Sequence, residues 1–147
     1  SLSELCGMSF EEFKKTAILL AYLHDIGKIT PLFQSQILKA LPARRSVFEH
    51  YGIHNIPENF IQKEKSHHTK CGEAILLELK FPKGFSSIVG AHHGMPAEEL
   101  PHHIKNYPEH FFGKPSNRGL WHGLYEEWAG YSLEKAGFRE PSEIPAL

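Results

Sequence analysis

The 147-residue chain is 41% apolar and 22% charged, the composition of a soluble globular domain with enough chain to bury a real core. Its formal net charge of −1 excludes a global basic field, so any contact with nucleic acid has to be local, or supplied by metal ions or another domain. Two cysteines outside any C-x-x-C pattern suggest a reducing cytoplasmic setting rather than a disulfide scaffold, and the longest apolar run, "AILLAYL", is too short to span a bilayer.

Residues 9–25 read as a helix. Ser9 and Glu12 form an S-x-x-E capping box. Phe10, Phe13, Ala17, Leu20, Ala21 and His24 fall at helical spacing on one face, which is expected to meet the core. His24 continues that stripe, with Asp25 about 100° round the helix. Gly27 is the expected stop. Thr30 as N-cap and Pro31 at the first position begin a second helix, "PLFQSQILKAL", which ends near Pro42.

Residues 42–65 contain Pro42, Gly52 and Pro57 without a clean period, and are expected to be loop with one short helix. A third helix runs from about Ser66 to Leu79, and a fourth, "FSSIVGAHH", ends at Gly94. The proline- and glycine-rich stretch that follows, to residue 119, reads as an irregular excursion, with His102, His103 and His110 at the surface. A lid, a partner-binding loop and a passive insertion are all open for it. The last helix covers Leu120 to Gly137. No alternating β-branched segment stands out as a strand, so the expected fold class is all-α.

Eleven histidines are the unusual number, and several are paired: His67–His68, His92–His93 and His102–His103. Histidine is the commonest metal ligand. Three features bear on this. His24–Asp25 ends a strongly apolar helix, where a buried carboxylate needs a cationic partner, and a metal ion is one. His67 and His68 open an apolar helix. Gly72, four residues past His68, leaves room for a neighbouring helix. His92 and His93 close another apolar helix, so both can reach one site at its end. Each feature alone also fits an ordinary solvated helix end. Together they are four imidazoles and a carboxylate on three apolar helices.

The order H-D, then H, then H-H resembles the HD metal-dependent phosphohydrolase superfamily. "HDIGKITPLFQ" and "AHHG" narrow the resemblance to the HD nuclease domain of the CRISPR-associated type I nuclease–helicase. "HHTKCGEAIL" fits the middle histidine motif less sharply. The resemblance covers about Phe10 to Gly94 and implies an all-α HD-domain helical bundle. By it, His24, Asp25, His68, His92 and His93 are metal ligands, with Asp25 bridging and His68 taken over His67 by its spacing to Gly72. Asp25 and Lys28 carry catalysis, Lys28 lies near the scissile phosphate, and Gln34 contacts substrate. Phe33 and Gln34 form a structural or DNA-facing signature.

The implied cofactors are one or two divalent transition-metal ions (Fe, Mn, Co, Ni or Zn). The implied activity is metal-dependent cleavage of single-stranded DNA in CRISPR type I interference, a form of antiviral defence. The implied partners are single-stranded DNA, an RNA-guided surveillance complex, and a helicase domain in the same or a partner chain. No membrane partner is expected. In this chemistry paired ions activate a water and stabilise charge on the phosphorane oxygens.

Two parts of the family pattern are missing. No histidine precedes His24, and no aspartate follows Asp25. The chain is therefore expected to be a single HD-type domain over residues 1–147, incomplete at both ends, or else a natural variant with a partial site, and to bind metal weakly on its own. His50, His54 and His122 have no context that makes them substitutes. Two rivals share these residues: an HD phosphohydrolase acting on nucleotides or cyclic dinucleotides, and a non-catalytic HD docking domain.

Overall fold

The computed structural model describes residues 1–54, 56–57 and 59–147. Its α-helices are α1 (Leu2–Leu5), α2 (Phe10–Leu23), α3 (Pro31–Ala40), α4 (Arg45–His50), α5 (His68–Glu78), α6 (Lys83–Gly90), α7 (Leu100–Asn106), α8 (Pro108–Phe112) and α9 (Arg118–Ala136). Short 3-10 turns lie at Ile26–Ile29, Pro42–Arg44, Lys63–Lys65 and Pro141–Glu143, and no strand occurs among the described residues. The all-α expectation holds. No described helix is long and apolar enough to cross a membrane.

The capping box forms as read: Ser9 Oγ accepts from Glu12 N at 3.2 Å, and the Ser9 N–H donates to Glu12 Oε2 at 2.8 Å. The buried face of α2 is different from the one expected. Thr16, Leu19 and Leu23 turn inward, while Phe10 is 68% exposed and Ala17, Ala21 and His24 are also at the surface. "AILLAYL" is apolar nearly all round, so two helical phases fit it. The phase that continues into buried Ile26 is the one that packs. His24 therefore lies outside the core stripe.

Leu19, Leu23 and Ile26 join Ile75, Leu76, Phe85, Val89, Trp121 and Tyr125 in a contiguous core, where α2 packs on α9 and α5 packs on both α6 and the Ile26–Ile29 turn. Tyr125 donates its hydroxyl to the Phe111 carbonyl at 2.7 Å, so its polar tip is satisfied inside.

Gly27 permits the closest of these approaches. A Cβ there would collide with the His68 carbonyl and the Gly72 nitrogen. Gly72 answers from the other side, its own hypothetical Cβ lying 3.5 Å from the Gly27 nitrogen. The small residue at 72 thus admits the turn that follows Asp25, which sets that turn against the start of α5.

The stretch after Gly94 is more regular than expected, since it contains α7 and α8. His103 and His110 are buried rather than at the surface. Helix α6 ends at Gly90, so His92 and His93 stand in the turn beyond it.

Candidate metal centre

The Asp25–Thr30 segment is held rigidly by its own neighbours. The Thr30 hydroxyl donates to the Gly27 carbonyl at 2.7 Å, and the Gln34 amide donates to the Lys28 carbonyl at 2.6 Å. Gln34 thereby ties the turn to the first helical turn of α3. In the sequence this brace is the Gln34 of the Phe33–Gln34 signature that follows the H-D pair. Gln34 uses its donor on that backbone.

Asp25 sits just past α2, with its two carboxylate oxygens in different surroundings. Oδ2 faces outward and meets Lys28 Nζ at 2.7 Å and His24 Nε2 at 3.2 Å. Oδ1 faces inward and meets His68 Nε2 at 3.4 Å and His92 Nε2 at 3.6 Å. Asp25 Oδ1, His68 Nε2 and His92 Nε2 are all buried and have no hydrogen-bond partner among the described residues. The side chain of His24 is 50% exposed and that of Asp25 is 35% exposed, so the pair lies at the surface with one oxygen turned in. Burial of the whole pair, expected from the stripe, is corrected accordingly.

Tautomers explain why that inward trio needs a cation. His92 Nδ1 lies 2.7 Å from the Val89 carbonyl, and a carbonyl can only accept, so Nδ1 carries the proton. In the neutral ring Nε2 then presents a lone pair toward a carboxylate oxygen. His24 is arranged alike, with Nδ1 2.8 Å from the Ala21 carbonyl. A histidine whose far nitrogen is tied to a backbone carbonyl is the usual form of a metal ligand. Burial, and after it the charge of His67, pushes His68 down to about 4, so this ring is neutral near pH 7. At Asp25 burial acts to raise the carboxyl, but the Lys28 hydrogen bond, and after it the charges of His24 and Lys28, outweigh it and hold it below its ordinary value.

The His92 Nε2 lone pair and Asp25 Oδ1 face one another across 3.6 Å and repel unless a cation lies between them, and His68 Nε2 stands 3.4 Å from the same oxygen without a hydrogen bond. Those spacings fit ligands that share an ion at about 2.0–2.2 Å each. His93 stands with the two imidazoles of the trio: His68, His92 and His93 offer ligand atoms all within 4.8 Å of one another. Imidazoles with one carboxylate suit a divalent transition ion. The residues present therefore fit a metal.

His67 is placed otherwise. It occupies the N-cap position of α5, its side chain is exposed, and its Nδ1 is 3.2 Å from the Thr69 hydroxyl. His50 packs on Tyr51, and His122 pairs with Glu126 at 3.2 Å. Neither belongs to the cluster. Buried Glu73 turns to the Ser87 hydroxyl at 2.9 Å, so it does not supply a closing carboxylate.

A family model described as "Cas3, HD domain" matches residues 1–144. The chain belongs to the Cas3 HD-domain family. That family is one of CRISPR-associated HD domains. The chain is 28% identical over 146 residues to the CRISPR-associated nuclease/helicase Cas3 of Streptococcus thermophilus, a match covering 91% of this chain and 16% of that protein. The chain thus spans about a sixth of its relative. No solved structure matches it.

Proposed function

We propose that this chain is a metal-dependent nuclease module that hydrolyses phosphodiester bonds in single-stranded DNA, working in CRISPR type I interference with a helicase domain and an RNA-guided surveillance complex. The observation that carries the proposal is the convergence of Asp25 Oδ1, His68 Nε2 and His92 Nε2, buried and without hydrogen-bond partners among the described residues. Asp25, His68, His92 and His93 would hold a divalent ion, and His24 stands at the outer oxygen of Asp25 for a second one. Such ions, when bound, supply hydroxide near neutral pH and stabilise charge on the phosphoryl oxygens.

The remaining roles belong to the chain itself. Lys28 is 42% exposed beside Asp25 and brings a positive charge to the face where a phosphate arrives. Gln34 and Thr30 hold the turn that aims Asp25. His24, Asp25, Lys28, His92 and His93 line one shallow, solvent-facing depression. An open depression supports a polymeric substrate over a free nucleotide, which favours an enclosing pocket. The junction of three helix ends supports catalysis over a docking role. The relative's name as a nuclease/helicase agrees with the helicase partner proposed.

The test is Mn²⁺-dependent cleavage of single-stranded DNA by the complete protein. His24→Ala and Asp25→Ala are each expected to abolish it, and unchanged cleavage in either variant overturns the assignment.

A further inference from the structure

We propose that the cleft beside His68 binds one flank of the DNA strand, with a base stacked on Phe33 and phosphates held by Lys39 and Lys63. This rests on the nuclease function proposed above and names residues, beyond the metal cluster, that grip the polymer.

The cleft has a volume of about 460 Å³ and lies between the α3 side chains Phe33, Gln36 and Lys39 and the Lys63–His68 segment. That volume falls within the roughly 300–1,000 Å³ of small-molecule sites, so it has room for a nucleotide unit rather than a bare ion. His68 forms one wall of it and turns Nε2 toward Asp25 Oδ1 at 3.4 Å. His68 therefore stands between the cleft and the metal cluster, as a wall of the one and a member of the other. A strand seated in it would pass His68 on its way to the reacting phosphate.

Its wall chemistry is that of a single-strand groove: an aromatic platform with cations for the backbone. The Phe33 ring packs edge-on against His68, with centroids 5.8 Å apart, which fixes its orientation beforehand. Lys39 Nζ rests 2.7 Å from the Asn59 amide oxygen, a neutral acceptor that positions the ammonium without cancelling its charge. Lys63 stands on the opposite wall, and Glu64 is the sole carboxylate among the lining residues. Gln36 is exposed and offers an amide to a base edge.

Charge decides between this cleft and the other flank of the site. There, Ile29, Leu124, Glu127, Trp128 and Tyr131 surround about 380 Å³. That surface has more aromatic area, yet its lining includes a carboxylate and no cation. A polyanion is disfavoured there and favoured beside Lys39 and Lys63.

The experiment compares two substrates of the complete protein with Mn²⁺: a short single-stranded DNA oligonucleotide, and bis(p-nitrophenyl) phosphate, a diester with no bases or flanking phosphates. The double variant Lys39→Gln/Lys63→Gln is expected to raise KM for the oligonucleotide about tenfold and to flatten the salt dependence of kcat/KM, because about two phosphate contacts are lost. Its kinetics on the small diester stay at the wild-type level. Phe33→Leu is expected to raise the oligonucleotide KM roughly fivefold or more through lost stacking. A double variant with wild-type KM and salt slope on the oligonucleotide overturns the groove, as does an equal loss on both substrates. A wild-type protein that leaves the oligonucleotide intact overturns the nuclease function itself, which keeps the two failures apart.

Discussion

His67 is the extended N-cap residue of α5 and His68 its first helical residue, and their rings, with centroids 4.3 Å apart, meet different partners. His68 has the inward azimuth: its side chain is 8% exposed and its Nε2 faces Asp25 Oδ1. His67 faces outward at the N-cap position and engages Thr69. Removing each ring should therefore have unequal effects. His68→Ala is expected to weaken Mn²⁺ or Co²⁺ binding by more than the roughly 10–100-fold that loss of an outer partner costs. His67→Ala should stay below that range. Calorimetric or elemental titration of the two variants checks this, and equal losses would contradict the separation of roles. At this scale the sequence was informative about residue type and spacing: His24, Asp25, Lys28, His68, His92 and His93 all come to one place. The distinct surroundings of the Asp25 oxygens, and the brace from Gln34 to the Lys28 carbonyl, depend on where a turn points its atoms. No residue pattern states that.

The turn carrying Asp25 can approach α5 only because two glycines meet. A methyl at 27 collides with backbone, the His68 carbonyl and the Gly72 nitrogen, neither of which can swing aside. A methyl at 72 would instead lie 3.2 Å from Val89 Cγ1 and 3.5 Å from the Gly27 nitrogen, close contacts that small shifts relieve. Gly27→Ala is thus expected to destabilise the fold by about 1–3 kcal/mol, a drop in Tm of roughly 3–10 °C, and to lower metal affinity as well. Gly72→Ala should do less on both counts. In α9 the sign reverses: Gly123 and Gly130 are exposed with nothing within 4 Å of an added methyl, so alanine at either should stabilise by about 0.5–1 kcal/mol. Thermal melts of the four variants order these effects. The sequence showed Gly72 as a place of close approach, but Gly27 only as a helix stop. The phase of α2 was ambiguous because its middle is apolar all round. Helices α7 and α8 were missed for another reason: Pro101 and Pro108, taken as breakers, lie in their first turns, where proline is well suited to begin a helix.

Those two helices matter to the whole molecule because they bury titratable rings. His110, on α8, is 2% exposed, stacks on Tyr107, and has its Nδ1 2.9 Å from the Ser66 hydroxyl just ahead of α5. Burial, more than any charge near it, lowers the pKa of His110, and burial likewise leads the lowering at His103. Below an unfolded value of about 6.5, the unfolded chain takes up protons that the folded chain does not, so unfolding is favoured as pH falls. Stability should then rise with pH through the window below about 6.5 and level off above it. Asp25, held below its ordinary value, also loses stability in acid, but only at lower pH, beneath the usual carboxylate range. The window between about pH 5 and 6.5 therefore belongs to the histidines. Each such ring contributes at most about 1.4 kcal/mol per pH unit, the limit of one proton. His110→Gln keeps a hydrogen-bonding group next to Ser66 and removes the titration. Its Tm should fall less between about pH 7.5 and pH 5.5 than that of the wild type. Identical pH slopes in the two proteins would mean that His110 takes up its proton inside the fold as readily as in water, against its burial between Phe60 and Tyr107.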